Sequence, residues 1–143
     1  MAVKRQEGDW SEVAIAMDRG LRVFAEFVKP VLAAHAADNL SVANVIFLMS
    51  VGEGEARVND IVRSGRYIGS NASYALKALH GAGLISRRQD ETDRRNAVVC
   101  WTERGKALAS ALRRACAPSA GIPGGTSDIL SAFESHCARL PEA

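Results

Sequence analysis

Apolar residues recur three and four positions apart near the start of the chain, with polar residues between them. The series consists of Val13, Met17, Gly20, Leu21, Phe24, Phe27, Val28, Val31 and Leu32. This is the period of a long amphipathic helix. Asp9 and Glu12 resemble a capping box at its start, and Asn39 lies beyond its expected end. Because Pro30 lacks an amide hydrogen and its ring clashes with the preceding turn, we expect the helix to kink or divide there.

Two short helices are expected next. The first begins after Ser41, whose side chain suits an N-cap, and ends at the glycine-rich residues 52–55. The second runs from about Val58 to Arg63 and stops at Gly65. The residues expected to face the core are Val42, Val45, Ile46 and Met49 in the first helix and Val58, Ile61 and Val62 in the second.

A third helix is predicted over residues 70–80, with two chemically distinct faces. Its apolar face consists of Ala72, Leu76 and Leu79, and its polar face of Asn71, Ser73, Tyr74 and Lys77. A short helix followed by a tight turn and a second helix with an exposed polar face is typical of a helix-turn-helix. In that motif the second helix enters the major groove of DNA.

A β-hairpin is predicted after this helix. Residues 84–87 alternate between inward and outward positions as a strand does, and residues 97–101 form a second, apolar strand. The intervening residues 88–96 are mostly charged and lack apolar side chains, so we expect a solvated tip. A hairpin in this position is a wing.

Two further helices with apolar stripes are predicted toward the end of the chain. Thr102 caps the first, the proline- and glycine-rich residues 118–125 follow it, and Ser127 caps the second. The stripes consist of Ala107, Leu108, Ala111, Leu112 and Ala115, and of Ile129, Leu130, Phe133, Cys137 and Leu140. One small domain is unable to cover both the last stripe and that of the first helix, which favours burial against a second copy of the chain.

Length and composition are those of a globular protein. The 143 residues, 48% hydrophobic and 24% charged, allow one domain with or without an appendage and exclude a collagen-like or wholly disordered chain. The longest uncharged apolar stretch, residues 40–52, is far shorter than the roughly 20 residues that span a bilayer. No signal peptide is visible. We therefore expect a soluble, cytoplasmic protein without a membrane partner.

The net charge of +2 conceals a segregation of charge along the chain. Residues 1–56 carry five Lys and Arg against eight Asp and Glu, residues 57–106 carry ten against five, and residues 107–143 carry three against three. A basic central segment is the electrostatic footprint expected where a protein meets nucleic-acid phosphates. A solvated surface without a ligand explains the charge alone equally well.

Two motifs suggest a family. Residues 76–87 fit the pattern LxxLxxxGLIxR, and residues 93–105 fit DxRxxxVxxTxxG. In these motifs and in the order of its elements the chain resembles the MarR-type winged helix-turn-helix transcription regulators, although Trp101 stands where that family usually has leucine. The resemblance implies a mainly α fold with a small β-hairpin wing. It also implies an N-terminal dimerisation helix (residues 1–40), a DNA-binding domain (residues 41–105) and C-terminal dimerisation helices (residues 106–143).

The resemblance further implies a homodimer that grips a pseudo-palindromic operator in double-stranded DNA. We expect a repressor that is relieved by a small-molecule effector in the cleft between the dimerisation and DNA-binding parts. Regulated genes, operator sequence and effector identity are not encoded in any visible pattern.

Three groups of residues are expected to contact DNA. They are Ser70, Asn71, Ser73, Tyr74 and Lys77 on the recognition helix, Asp93, Arg94 and Arg95 in the wing, and Arg57, Arg66, Arg87 and Arg88 as phosphate contacts. Asparagine suits adenine, and lysine suits guanine or phosphate. The family pattern implies that Asp93 orients Arg95 and that a guanidinium enters the minor groove. A solvated helix face and an ordinary polar turn are the alternatives.

No pattern of residues points to catalysis or to a cofactor. The chain has no Ser/His/Asp order, paired carboxylates or phosphate loop, and His35, His80 and His136 lack metal-ligand spacing. We interpret Cys100 and Cys137 as small hydrophobic residues. Cys116 follows Arg113 and Arg114, whose charges would lower the pKa of its thiol, so a redox role is an alternative for it.

Two rival functions remain open at this point. A winged helix also serves as a protein-interaction module, but its recognition helix would then be apolar or acidic, whereas this one is polar and basic. A thiol- or metal-responsive regulator would use the same DNA-binding fold with a different input.

Overall fold

The computed structural model describes residues 10–51, 54–63 and 69–117. Within these ranges the chain forms five helices and three strands. In chain order they are α1 (Trp10–Ala34), α2 (Val42–Ser50), β1 (Glu55–Arg57), α3 (Val58–Arg63), α4 (Gly69–Gly81), β2 (Ile85–Gln89), β3 (Ala97–Trp101) and α5 (Glu103–Ala115). The predicted fold, mainly α with a small hairpin wing, is confirmed. Asp9, the break at 118–125 and the final helix from Ser127 lie outside the described residues.

α1 continues without a break through Pro30, so the predicted division into two pieces does not occur. Proline removes one hydrogen bond, and Val28 and Leu32 on either side of it are buried and hold both parts of the helix against the core. The helix ends in a Schellman-type turn, in which Ala36 has a φ of 50° and the amide of Ala37 donates to the carbonyl oxygen of Leu32 at 2.9 Å. None of the described helices has the length and apolar character needed to cross a membrane.

α2 is apolar on nearly all sides. Ser41 caps it as predicted, because its Oγ accepts a hydrogen bond from the amide of Asn44 at 3.2 Å. Val45 is buried as predicted, but Phe47 and Leu48 are the other buried residues. The remaining residues predicted to face the core are only partly buried: Val42, Ile46 and Met49. α2 contacts α1, α4 and α5, so buried residues occur on several sides of the helix. The periodicity of apolar residues therefore could not identify which of them are buried.

β1 adds a third strand to the two that the sequence predicts. It pairs with β3 in antiparallel fashion, which gives the strand order β1-β3-β2 and places Arg57 opposite Val98. Three residues are too few to display the alternation of a strand. The strand forms because the free edge of β3 offers unpaired backbone groups to it.

β2 and β3 form the wing. β3 spans the predicted residues, whereas β2 begins at Ile85 and continues to Gln89, opposite Ala97. The tip is not fully solvated as expected, because Asp90 and Asn96 are only 5% and 9% exposed. The amide of Asp90 donates to the carbonyl oxygen of Asn96 at 3.1 Å and extends the pairing of the strands.

α5 begins after Thr102, which caps it as predicted. Leu108 and Leu112 are buried as expected, but Ala107 is exposed and Ala109 is buried in its place. The difference arises because α5 contacts both α1 and α2 as well as β3. The core lies among these helices, α4 and the sheet, and its most deeply buried side chains are Val28, Val45, Phe47, Leu48, Leu76, Leu79, Leu84, Val99, Leu108 and Leu112.

Candidate nucleic-acid interface

α4 carries the polar face that the sequence predicts. Its buried side consists of Ala72, Ala75, Leu76 and Leu79, and its exposed side includes Asn71, Ser73, Tyr74 and Lys77. Tyr74 is 75% exposed, and the helix contains no Asp or Glu. Such a face approaches a groove lined by phosphates without like-charge repulsion. The side chain of Ser70 is not among those described.

α3 packs against α4 and completes the helix pair. It spans Val58–Arg63 as predicted, with Ile61 buried and Val58 and Val62 packed partly buried against the core. The connection between the helices, which includes Arg66, lies outside the described residues. α3 and α4 therefore pack together through the apolar side of α3, as the helices of a helix-turn-helix do.

The wing tip is held by hydrogen bonds within the tip itself. Oδ1 of Asp90 accepts from the amide of Thr92 at 2.9 Å and from its hydroxyl at 2.8 Å. Nε2 of Gln89 donates to the carbonyl oxygen of Arg94 at 2.9 Å. These bonds fix the backbone on either side of the tip, as Asx-type turns do.

Asp93 contacts Arg95 through the backbone. Oδ1 of Asp93 accepts from the amide of Arg95 at 3.0 Å, so the carboxylate fixes the turn on which the arginine stands. Arg94 and Arg95 are both exposed. Neither guanidinium forms a salt bridge with another described residue. Both remain available to an anionic ligand.

Arg57 reaches from β1 to the wing tip. Its Nε lies 2.7 Å from Oδ2 of Asp90, and its Nη2 donates to Oγ1 of Thr92 at 3.3 Å. Sequence reasoning missed this pair, because the two residues lie 33 positions apart and β1 shows no pattern. The spacing of Asp90 and Thr92, which favours an Asx-type turn, is the signal that could have indicated an ordered tip.

Arg88 is also paired with a carboxylate. Its Nη2 lies 2.5 Å from Oε2 of Glu55, and the thiol of Cys100 donates to Oε1 of the same residue at 3.4 Å. Of the four arginines predicted to contact phosphate, Arg57 and Arg88 thus already have carboxylate partners, Arg87 is exposed, and Arg66 is not described. Phosphate contact by any of them stays a prediction.

Hydrogen bonds lower the pKa of both carboxyl groups beside the wing. The pKa of Asp90 falls below its ordinary value of 3.8, chiefly because the amide and hydroxyl of Thr92 donate to the carboxylate, and the charge of Arg57 adds to the effect. The pKa of Glu55 is lowered chiefly by the hydrogen bond from Arg88. At neutral pH both groups are negative, so they offset two of the wing's positive charges.

Cys116 does not have the reactive setting that its neighbours suggest. Burial raises the pKa of its thiol, so the expected lowering by Arg113 and Arg114 is wrong. Desolvation disfavours the thiolate, which is the reactive form. Cys137 lies outside the described residues.

The described histidines have separate surroundings. Nδ1 of His35 lies 2.9 Å from the carbonyl oxygen of Val31, and His80 is exposed on α4. No three His, Cys, Asp or Glu side chains within the described ranges are grouped so that they could hold a metal ion. His136 lies outside those ranges.

Comparison with known proteins supports a DNA-binding domain. Residues 40–105 match the winged helix DNA-binding domain family. Over 104 residues the chain is 33% identical to the exopolysaccharide II synthesis transcriptional activator ExpG of Rhizobium meliloti (strain 1021), a match that covers 73% of this chain and 54% of that protein. The chain therefore spans about half the length of this curated relative.

Solved structures share the fold. Overoxidized AbfR bound to DNA superposes with a TM-score of 0.69 at 20% identity, covering 92% of this chain and 93% of that one. A MarR transcriptional regulator from Methanosarcina mazei Go1 superposes with a TM-score of 0.65 at 18% identity, covering 90% of this chain and 95% of that one. The chain therefore contains a winged helix DNA-binding domain at residues 40–105, and its fold is shared with solved regulators of the MarR type.

Proposed function

We propose that the chain is a DNA-binding transcriptional regulator that acts as a homodimer on a pseudo-palindromic operator. The observation that carries this proposal is the exposed face of α4, whose polar and basic side chains project from a winged helix domain without a carboxylate among them. A helix that reads a groove needs exposed hydrogen-bonding groups and must tolerate the surrounding phosphates.

The side chains of α4 have separate roles in this proposal. Asn71 makes a bidentate contact to adenine, and Lys77 contacts guanine or a phosphate. Ser73 and Tyr74 bond to neighbouring bases or phosphates, and Ser70 at the start of the helix contributes a backbone amide to a phosphate. Removal of the Asn71 side chain should therefore change the preference for one base, and removal of the Lys77 side chain should change the affinity.

The wing contributes charge and shape recognition. Arg94 and Arg95 project from a tip whose backbone is hydrogen-bonded. One of these guanidinium groups enters the minor groove, where a narrow groove concentrates negative potential. Arg87 on β2 and Arg66 contact phosphates, which position the domain without reading sequence.

The exposed apolar residues of α1 support the homodimer. Ile15, Met17, Leu21, Val23 and Phe27 are between 42% and 66% exposed. Met17 and Leu21 continue the stripe whose later residues, Phe24 and Val28, pack into the core. Burial of this surface against a second copy contributes about 25 cal/mol per Å² of apolar area. A two-fold dimer also matches a palindromic operator.

An open cleft at the C-terminal end of α1 is the proposed effector site. It is lined by Lys29, Pro30, Leu32, Ala33 and Asp38. Its lining residues belong to α1 and, through Asp38, to the connection that leads from α1 to α2, so the cleft borders the link between the dimerisation helix and the DNA-binding domain of this proposal. Its apolar floor and charged rim suit a small molecule with both apolar and polar parts.

The sign of regulation is proposed as repression. The curated relative from Rhizobium meliloti is named an activator. A transcriptional reporter assay must therefore be able to detect both an increase and a decrease in transcription. Deletion of the gene should raise transcription from an operator that overlaps a promoter. A fall in transcription would make the chain an activator and leave its DNA-binding function unchanged.

The decisive experiment is a footprint on the DNA upstream of the chain's own gene, combined with sedimentation equilibrium. We expect two protected half-sites about one helical turn apart and a particle of twice the chain mass at low micromolar concentration. Affinity should fall steeply with added salt. Absence of any protected site would favour the protein-interaction module, and a footprint that depends on reductant would favour a thiol-responsive regulator.

A further inference from the structure

Asp90 is a buried carboxylate in the most basic segment of the chain. It is 5% exposed, whereas the neighbouring Glu91 is exposed. A negative charge beside a surface that meets phosphates opposes binding through simple electrostatics. Its contacts with Thr92 and Arg57 therefore indicate that Asp90 stabilises the structure of the tip, and that this effect favours DNA binding more than the repulsion opposes it.

The position of Arg57 shows which part of the domain Asp90 connects to the tip. Arg57 ends β1 and directly precedes α3, the first helix of the helix-turn-helix. Its side chain crosses to Asp90 and Thr92, so it joins the wing tip to the helix pair by a route separate from the β2–β3 ladder. Because a hairpin tip far from its base moves easily, a second attachment reduces the range of positions that the tip can occupy.

We propose that Asp90 is a positioning residue, which together with Arg57 and Thr92 holds the wing tip at a fixed distance from the helix-turn-helix, so that the guanidinium of Arg94 or Arg95 enters the minor groove. Arg57 then acts through Asp90 and not as a phosphate contact. This inference rests on the proposed DNA-binding function, and it assigns to Arg57 a role different from the one that its charge suggests.

The test uses the full chain and an operator whose flanks are rich in A·T or, in a second version, in G·C. Asp90→Asn keeps the size of the side chain and removes its charge, and Glu91→Gln is the matched control that removes the same charge from an exposed neighbour. Affinity for both operators is measured for these variants, for Arg57→Ala, for Arg57→Lys and for the double variant Arg57→Ala/Asp90→Asn, each checked for folding by circular dichroism.

We expect Asp90→Asn to weaken binding to the A·T-flanked operator by roughly three- to tenfold, the effect of one lost ion pair between a buried carboxylate and a half-exposed guanidinium. Electrostatic repulsion alone predicts the opposite result, which is tighter binding by Asp90→Asn. Glu91→Gln should bind as well as the wild type or better. Arg57→Lys should resemble Arg57→Ala, because lysine keeps the charge but not the paired donors. The double variant should bind no more weakly than the weaker single variant.

Three outcomes would each overturn the inference and leave DNA binding established. They are stronger binding by Asp90→Asn, wild-type affinity in Arg57→Lys, and additive effects in the double variant. Equal losses on both operators would assign Asp90 to general stability instead of wing position. A wild-type chain without salt-dependent DNA binding would overturn the proposed function itself, and the inference with it.

Discussion

The carbonyl oxygen of Leu84 occupies the space that a side chain on Gly105 would need. A Cβ built on Gly105 would lie 2.0 Å from that oxygen. The same carbonyl accepts a hydrogen bond from the amide of Thr102 at 3.1 Å, and Oγ1 of Thr102 donates to the carbonyl oxygen of Gly83 at 2.8 Å. The first turn of α5 is thereby held directly against the start of the wing, which explains the Thr and Gly of the motif at residues 93–105.

Gly105→Ala should destabilise the fold by roughly 1–3 kcal/mol or more, because backbone atoms of Leu84 must move to admit the methyl group. Thermal unfolding measures the effect. Gly81→Ala is the control, since a Cβ there meets nothing within 4 Å, and alanine is the better helix former. Equal melting temperatures for wild type and Gly105→Ala would contradict the close approach.

Ala36→Gly should stabilise the protein by roughly 0.5–1 kcal/mol, because Ala36 adopts the left-handed conformation with a φ of 50° that glycine adopts without strain. The comparison is Ala33→Gly inside α1, where glycine should destabilise by a similar amount. Denaturant titration gives both values. A loss of stability in Ala36→Gly would show that the helix end has another conformation.

The recognition face predicts different effects for its asparagine and its lysine. Asn71→Ala should weaken specific binding by roughly 1–3 kcal/mol and relax the preference for one base, if it contacts adenine. Lys77→Ala should weaken binding and reduce its salt dependence when the contact is to phosphate. Lys106→Ala, whose lysine pairs with Glu103 on α5 at 3.0 Å, is the matched charge control. Operator titrations unaffected by both α4 substitutions would contradict the assignment of the helix.

The wing should act through the shape of the operator flanks. Arg95→Ala should weaken binding most where the flanks are rich in A·T steps, and replacing these flanks by G·C should then affect the wild type more than the variant. Asp93→Ala should act in the same direction but less strongly, because it loosens the turn that carries Arg95. A double-mutant cycle on the two operators should be less than additive. Full additivity without flank dependence would leave Arg95 as an ordinary surface residue.

The lowered pKa of Asp90 predicts a pH-dependent contribution to stability. A carboxyl group whose pKa is lower in the folded state stabilises the fold above its unfolded value near 3.8, and this contribution is lost as the pH falls through the folded pKa. Asp90→Asn should therefore have a lower melting temperature than the wild type at pH 7, and the difference should shrink below about pH 4. Glu91→Gln, at an exposed position, should show a smaller difference at pH 7.

Local patterns in the sequence determined most of the elements. The period of three and four placed α1, the caps at Ser41 and Thr102 marked two helix starts, and the faces of α4 were correctly assigned. β3 and α3 also fall on the predicted residues. These features depend on interactions between residues a few positions apart, and such interactions leave a readable spacing in the chain.

The tertiary structure alone decided how those elements meet. β1 exists because β3 has a free edge, α2 buries Phe47 and Leu48 because other helices surround it, and Arg57 finds Asp90 across 33 positions of sequence. Pro30 remains inside α1 because buried residues on both sides hold the helix. A pairing between distant positions depends on the path of the whole backbone, so no local spacing encodes it, whereas periodicity and capping are fixed within a single turn.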